Sequence, residues 1–145
     1  MRIYFAAPWF SPKQAEIHQK VYEILRLSPH DIFSPKHECE VTDESSENDR
    51  RRAFVQNLLA IERADLIIAV TDYKDIGTIW ECGFAYRANV PITYYAETLG
   101  DRPFNLMLAE SGIRVVRNGS ELYDWLHRIT NPGDLAQTKF EGGVE

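Results

Sequence analysis

Short apolar runs alternate along this chain with longer segments of helical period. Such alternation is typical of an α/β fold, because neighbouring parallel strands are joined by helices that cover both faces of the sheet. The pattern therefore predicts a mainly parallel five-stranded sheet with flanking helices. The predicted strands cover residues 3–6, 31–33 (the weakest), 65–70, 91–95 and 113–116.

Four helices are predicted, and two of them have recognisable start signals. Ser11 is an N-cap candidate that is followed by proline and then, three residues after the cap, by Gln14. Asn118 and Glu121 match the same capping pattern before the last helix. The acidic run 38–49 is typical of a solvated loop. The predicted helices cover about residues 12–27, 49–63, 78–88 and 118–128.

Length and charge limit the function classes. The 145 residues have the size of one domain, so we expect a single domain over residues 1–145. The 22 acidic residues outnumber the 16 basic ones and give a net charge of -6. Because this charge repels phosphate backbones, we expect no nucleic acid partner.

The apolar stretches and the cysteines bear on the compartment. Leu66–Val70 is the longest apolar stretch, far short of the roughly 20 residues of a bilayer-spanning helix, so we expect no membrane association. The first residues lack the charged and apolar regions of a signal peptide. Cys39 and Cys82 lack the C-x-x-C spacing of redox or zinc sites. Together these features predict a cytoplasmic protein with reduced thiols.

Two adjacent aromatic residues follow the first predicted strand. A dinucleotide-binding fold would carry a glycine-rich turn here, but the chain has Trp9 and Phe10 in the sequence APWF. Ligands of parallel sheets bind at the carboxyl ends of the strands, where these rings could stack on a nucleobase. In the alternative interpretation, the rings simply cover the end of the sheet.

Two carboxylates follow the third predicted strand. Asp75 lies in the loop, and we expect Glu81 in the first turn of the next helix. A helix N-terminus stabilises a nearby carboxylate by roughly 0.3 to 1 kcal/mol, which would keep Glu81 ionised and nucleophilic. Displacement at an anomeric carbon requires such a carboxylate. Alternatively, both acids only cap the helix.

No cofactor or metal is expected from the sequence. The histidines at positions 18, 30, 37 and 127 fall in different predicted elements, so they do not form a metal triad. His37 and Cys39 are close in sequence, but two ligands without a third are weak evidence for zinc. Displacement by a carboxylate requires neither a metal nor a redox carrier.

Taken together, the motifs resemble those of the nucleoside 2-deoxyribosyltransferase family. The resemblance implies a flavodoxin-like (Rossmann-like), doubly wound fold and a retaining transfer of 2-deoxyribose between nucleobases. It also implies deoxynucleosides and free nucleobases as partners, and homo-oligomers, dimer-based and often hexameric, with shared active sites. The matching segments are IYFAAPWF at residues 3–10, ADLIIAV at 64–70, DIGTIWECGFA at 75–85 and NLM at 105–107.

The same resemblance implies a role for individual residues. Glu81 matches the nucleophile that holds the sugar as an ester, and Tyr4 matches the tyrosine that orients it. Asp75 matches the aspartate that binds a sugar hydroxyl. Asn105 and Met107 match residues that a neighbouring subunit supplies to the sugar. Trp9 and Phe10 fall in the matching first segment and are the expected contacts of the base.

One position departs from the family pattern. The family places an aspartate for proton exchange with the base where this chain has Asn57, and an amide cannot exchange that proton. The resemblance also places the tail, residues 131–145, near the site. Two alternatives remain open: an N-glycosidase of nucleosides or nucleotides with the same fold, and a non-catalytic nucleoside-binding module.

Overall fold

The computed structural model describes residues 1–136, 138 and 140–145. Within these residues, five strands form one sheet in the order β2-β1-β3-β4-β5, and every neighbouring pair is parallel. The predicted α/β fold is confirmed, and the sheet is entirely rather than mainly parallel. The strands are β1 (Arg2–Ala6), β2 (Asp31–Phe33), β3 (Leu66–Val70), β4 (Ile92–Tyr95) and β5 (Arg114–Val116).

The helices include two short ones that the sequence pattern did not predict. They are α1 (Pro12–Leu27), α2 (Pro35–Glu38), α3 (Glu47–Arg63), α4 (Ile76–Arg87), α5 (Leu106–Ser111) and α6 (Gly119–Arg128). The unpredicted helices are α2 and α5, which are too short to show a helical period. Helices α3 and α4 each begin two residues earlier than predicted, so the acidic loop ends at Ser46. None of the described helices is both long and apolar enough to cross a membrane.

The sheet separates two apolar layers, and β1 contributes to both. Ile3 and Phe5 face the layer that holds Val21 of α1 and Leu122 of α6. Tyr4 and Ala6 face the opposite layer, which receives side chains from α3 and α4. Side chains of a strand alternate between faces, so neighbouring residues of β1 reach different layers. Tyr4 therefore points toward the helix that carries Glu81.

The strand order places the candidate site. In a sheet of order 2-1-3-4-5, the chain turns to opposite sides on leaving β1 and β3, and ligands bind in the crevice at this switch point. Ala6 of β1 lies beside Ala69 of β3 in register, so the loops that follow both strands meet at one edge. These loops carry Trp9, Phe10 and Asp75.

The end of the described tail pairs with the residues that lead into α5. The amide of Phe104 donates to the carbonyl of Gly143 (2.8 Å), and the amide of Glu145 donates back to Phe104 (3.0 Å). Phe140 packs against Phe104 with ring centroids 5.5 Å apart. The predicted tail, 131–145, also includes residues 137 and 139, which lie outside the described residues. The tail thus borders the segment that carries Asn105 and Met107.

Candidate active site

A hydrogen bond joins the first strand to the fourth helix. The hydroxyl of Tyr4 donates to Oε1 of Glu81 at 2.6 Å. Tyr4 is fully buried, and its ring stacks on Phe33 of β2 with centroids 5.6 Å apart. Because a packed ring on a central strand has little freedom to move, its hydroxyl fixes one oxygen of the carboxylate and leaves Oε2 for other contacts.

The surroundings of Glu81 differ from the prediction in two respects. Glu81 is the sixth residue of α4 and so lies in the second turn, beyond the reach of the helix N-terminus. Burial raises the pKa of Glu81 to about 7, and the charge of Asp75 adds to the rise, while the Tyr4 hydrogen bond opposes it. The prediction that the helix end keeps Glu81 ionised is therefore wrong, because the side chain lies beyond the first turn of α4 and burial favours its neutral form.

Asp75 is the N-cap of α4. Its Oδ2 accepts from the amide (2.7 Å) and from the hydroxyl (3.0 Å) of Thr78, so the capping interpretation holds for this oxygen. Its Oδ1 has no hydrogen-bond partner among the described residues. Tyr73 and Lys74, which precede it, have φ of 65° and 50°, a left-handed conformation that few non-glycine residues adopt. This turn directs the chain from β3 into α4.

A second carboxylate, which the sequence analysis did not single out, supports the same loop. Asp72 is buried, and its two oxygens accept from the amides of Glu97 (3.0 Å) and Thr98 (2.6 Å). It therefore joins the loop after β3 to the loop after β4. An acidic residue two positions beyond a buried strand was the available signal.

Trp9 and Phe10 lie side by side after β1, with ring centroids 4.9 Å apart. The rings of Trp9 and the buried His18 of α1 pack at a steep angle with centroids 5.8 Å apart, so Trp9 is part of the packing of α1. Phe10 is 73% exposed. The packing interpretation therefore applies to Trp9. The side chain of Phe10 remains accessible to a ligand.

The side chain of Asn57 on α3 is hydrogen-bonded to a cysteine that was not among the predicted site residues. The thiol of Cys39 donates to Oδ1 of Asn57, with Sγ and Oδ1 2.8 Å apart. Burial raises the pKa of Cys39, and the charges of Glu38 and Glu81 raise it further. The charge effect of Glu81 places Cys39, and with it Asn57, in the neighbourhood of the carboxylate.

Asn105 and Met107 lie at the start of α5. Asn105 is the N-cap of this helix, and its Oδ1 accepts from the amide of Leu108 at 3.3 Å. Met107 is 75% exposed. In the single chain, Asn105 caps the helix and Met107 lies on the surface. Neither side chain contacts Glu81 among the described residues.

A cavity of about 380 Å³ lies on the α3 side of the sheet. Its lining includes Tyr4, Phe33, Glu38 and Gln56, but neither Glu81 nor Asp75. Tyr4 is therefore shared between this cavity and the carboxylate site. Among the described residues, no group of three or more His, Cys, Asp or Glu side chains is placed to hold a metal ion.

Comparison with known proteins identifies the family. Residues 3–119, most of the chain, match the sequence model described as "Nucleoside 2-deoxyribosyltransferase". The chain belongs to the nucleoside 2-deoxyribosyltransferase family. The matched range includes Tyr4, Asn57, Asp75, Glu81 and Asn105. A comparison with curated proteins found no match.

Solved structures show the same fold as this family member. The 2-deoxyribosyltransferase of Bacillus psychrosaccharolyticus has a TM-score of 0.79 at 24% identity, over 97% of this chain and 99% of the other. A conserved protein from Enterococcus faecalis V583 has a TM-score of 0.72 at 21% identity, over 87% and 96%. The CMP N-glycosidase of Clostridium botulinum has a TM-score of 0.59 at 15% identity, over 87% and 98%. At these identities the likeness concerns the fold alone.

Proposed function

We propose that this protein transfers 2-deoxyribose between nucleobases, through an ester of the sugar with Glu81. The observation that carries the proposal is the 2.6 Å hydrogen bond from Tyr4 to Glu81 at the switch point of the sheet. A buried carboxylate with one oxygen fixed and one left for attack has the arrangement that displacement at an anomeric carbon needs.

The proposed reaction has two displacements. Oε2 of Glu81 attacks C1′ as the bond from C1′ to the base breaks, and the electron pair leaves with the base. A second base then attacks C1′ from the opposite face, releases the carboxylate and gives up its ring N–H proton to water, so configuration is retained overall. Oδ1 of Asp75 is available for a sugar hydroxyl, while Oδ2 holds the start of α4.

We further propose that the working unit is a homo-oligomer built from dimers. The helices α3, α4 and α5 pack on the same side of the sheet and carry exposed apolar side chains, which we term the apolar face. A second copy packed on this surface would remove it from water and could bring Asn105 and Met107 to the Glu81 of its partner. The residues of the apolar face are Phe54, Val55, Leu59, Ile76, Trp80, Leu106 and Met107.

The glycosyl ester can be tested directly by intact-mass spectrometry. We expect an added deoxyribosyl group on the wild-type protein after acid quenching of a reaction with deoxyinosine and no acceptor. Glu81→Ala and the closer mimic Glu81→Gln should both lack the adduct, whereas Tyr4→Phe should form it more slowly. An adduct that maps to another residue would contradict the assignment of Glu81.

Product analysis separates transfer from the two alternatives. With deoxyinosine and free adenine, transfer yields deoxyadenosine, and hydrolysis yields free deoxyribose alone. No reaction in the wild type and in Asn57→Asp would favour a binding module, whereas activity in Asn57→Asp alone would indicate an enzyme slowed by Asn57. The fold is also similar to that of a CMP N-glycosidase, but the APWF loop offers no glycine-rich cradle for a phosphate.

A further inference from the structure

The contact between Cys39 and Asn57 fixes the orientation of an amide near Glu81. Burial and two neighbouring carboxylates raise the pKa of Cys39, so the thiol stays protonated and acts as the donor. Its partner is Oδ1 of Asn57, at 2.8 Å. With Oδ1 occupied in this way, the Nδ2 hydrogens of Asn57 have no acceptor among the described residues. The half-buried amide therefore presents a hydrogen-bond donor.

A hydrogen-bond donor that cannot give up its proton assists the departure of bases that leave as anions. When the glycosidic bond breaks, the base takes the electron pair, and negative charge spreads over its ring nitrogens and carbonyl oxygens. An amide N–H can stabilise this charge by a hydrogen bond but cannot give up its proton at neutral pH. The barrier to departure then depends steeply on how well the base itself carries the charge.

We propose that this site is adapted to nucleosides with acidic bases, which leave as anions, and that Cys39 is a positioning residue that turns the Nδ2 of Asn57 toward the departing base. The inference rests on the proposed function of the site. The carboxylate of Glu81 forms its bond to C1′ as the bond to the base breaks. The base departs with the electron pair and takes a proton from water only after departure.

Glu38 is a nearby group whose proton would make the rate less dependent on the acidity of the leaving base. Glu38 precedes Cys39, raises the pKa of its thiol and lines the cavity beside Tyr4. Tyr4 is held by Glu81, and Oδ2 of Asp75 is held by Thr78. If Glu38 protonated the base, the acidity of the base would matter little in the wild-type protein. Glu38→Gln is therefore part of the test.

The experiment compares matched donors of different base acidity. Thymidine is paired with 5-fluoro-2′-deoxyuridine, and deoxyadenosine with 2-fluoro-2′-deoxyadenosine, at saturating acceptor. For each pair, the acidity ratio is kcat/KM of the halogenated donor divided by kcat/KM of the ordinary donor. We expect the acidity ratio of the wild-type protein to exceed that of Asn57→Asp by about tenfold or more. Asn57→Asp should mainly accelerate the ordinary donors, by about one to three orders of magnitude, because a carboxylic acid can protonate their bases.

The Cys39 variants test the positioning role separately. Cys39→Val removes the donor at similar size, and we expect kcat to fall about fivefold with a smaller change in KM, the effect of one lost hydrogen bond. Cys39→Ser keeps a donor and should restore most of this rate. Equal loss in both variants would overturn the role of Cys39.

The outcomes distinguish this inference from the proposed function. Turnover with equal acidity ratios in the wild type and Asn57→Asp would overturn the inference alone. A ratio that grows only in Glu38→Gln would also overturn it, by making Glu38 the proton donor. If neither the wild type nor Asn57→Asp converts any of these donors, the proposed function fails and the inference with it.

Discussion

Glu81 is the residue at which burial and the proposed chemistry act against each other. Burial raises its pKa from 4.5 to about 7, so the folded protein binds this proton more tightly than the unfolded chain. The contribution of Glu81 to stability is therefore largest below pH 4.5 and is lost as the pH rises to about 7. The proposed attack needs ionised Glu81, so the proposed reaction would use the less stable form of the site.

Replacing Glu81 by glutamine should remove this dependence. Between pH 5 and pH 8, we expect the free energy of unfolding of the wild type to fall relative to that of Glu81→Gln, by about 3 kcal/mol at most. The other titrating groups are common to both proteins and cancel in the difference. Urea unfolding at equal protein concentration measures it. Parallel pH curves for the two proteins would contradict the buried position of Glu81.

Asp75 combines two effects that a pair of variants can separate. Its negative charge raises the pKa of Glu81, and its Oδ2 caps α4. Asp75→Asn keeps an acceptor for the cap but removes the charge, so the acid limb of the kcat/KM profile should move to lower pH. Asp75→Ala should show the same shift and lose about 1 kcal/mol of stability with the cap. An unmoved acid limb in Asp75→Asn would show that its charge does not act on Glu81.

At the scale of the elements, the sequence predicts the strands and helices that show a hydrophobic period. It fails to predict helices that are too short to show one. All five strands and the four long helices are found near their predicted positions, because each has either a buried apolar run or an amphipathic face. The α2 helix spans four residues and α5 six, too few for a period. The N-cap Asn105 and the following Gly112 were the remaining signals for α5.

The site was predictable to a similar extent. Asp75 and Glu81 follow a buried strand, so their place at the sheet edge could be read from the sequence. The pKa of Glu81 could not, because it depends on burial by residues distant in sequence. Cys39 was missed for a related reason, since the unpredicted α2 brings it to Asn57, which is 18 positions away.

The packing of β4 against the end of α5 leaves no room for a side chain at Gly112. A Cβ there would lie 2.7 Å from a ring carbon of Tyr94, which is fully buried and bonded through its hydroxyl to Ser111. We expect Gly112→Ala to destabilise the protein by about 1 to 3 kcal/mol. Gly83 in α4 is the matched control, because a Cβ there meets no atom within 4 Å. Gly83→Ala should be neutral or stabilise by about 0.5 to 1 kcal/mol in the same urea experiment.

For the whole molecule, the main open feature is the apolar face. Phe54 and Trp80 are both exposed, with ring centroids 5.9 Å apart, and Trp80 stacks on Phe84. Exposed apolar clusters of this kind mark surfaces that bind a protein, a ligand or a membrane. The proposed occupant is a second copy, which would complete the site with its own Asn105 and Met107.

A mixing experiment tests whether two chains share one site. Glu81→Gln lacks the nucleophile, and the double variant Asn105→Ala, Met107→Ala lacks the residues expected from the partner, so each alone should have little transferase activity. In a mixed dimer, one site combines wild-type Glu81 from one chain with wild-type Asn105 and Met107 from the other. Random pairing of the two co-expressed variants should therefore restore about one quarter of wild-type activity.

The controls use the same chains in other combinations. Either variant paired with the wild type should retain about half of the activity, because half of the sites remain intact. If each chain instead formed its own site, the mixed dimer would contain one site without the nucleophile and one without Asn105 and Met107, and mixing would restore nothing. The activity of the whole co-expressed mixture measures the difference, and purification through two different tags checks that oligomers containing both chains have formed. No recovery in a mixture that demonstrably contains such oligomers would contradict the shared site.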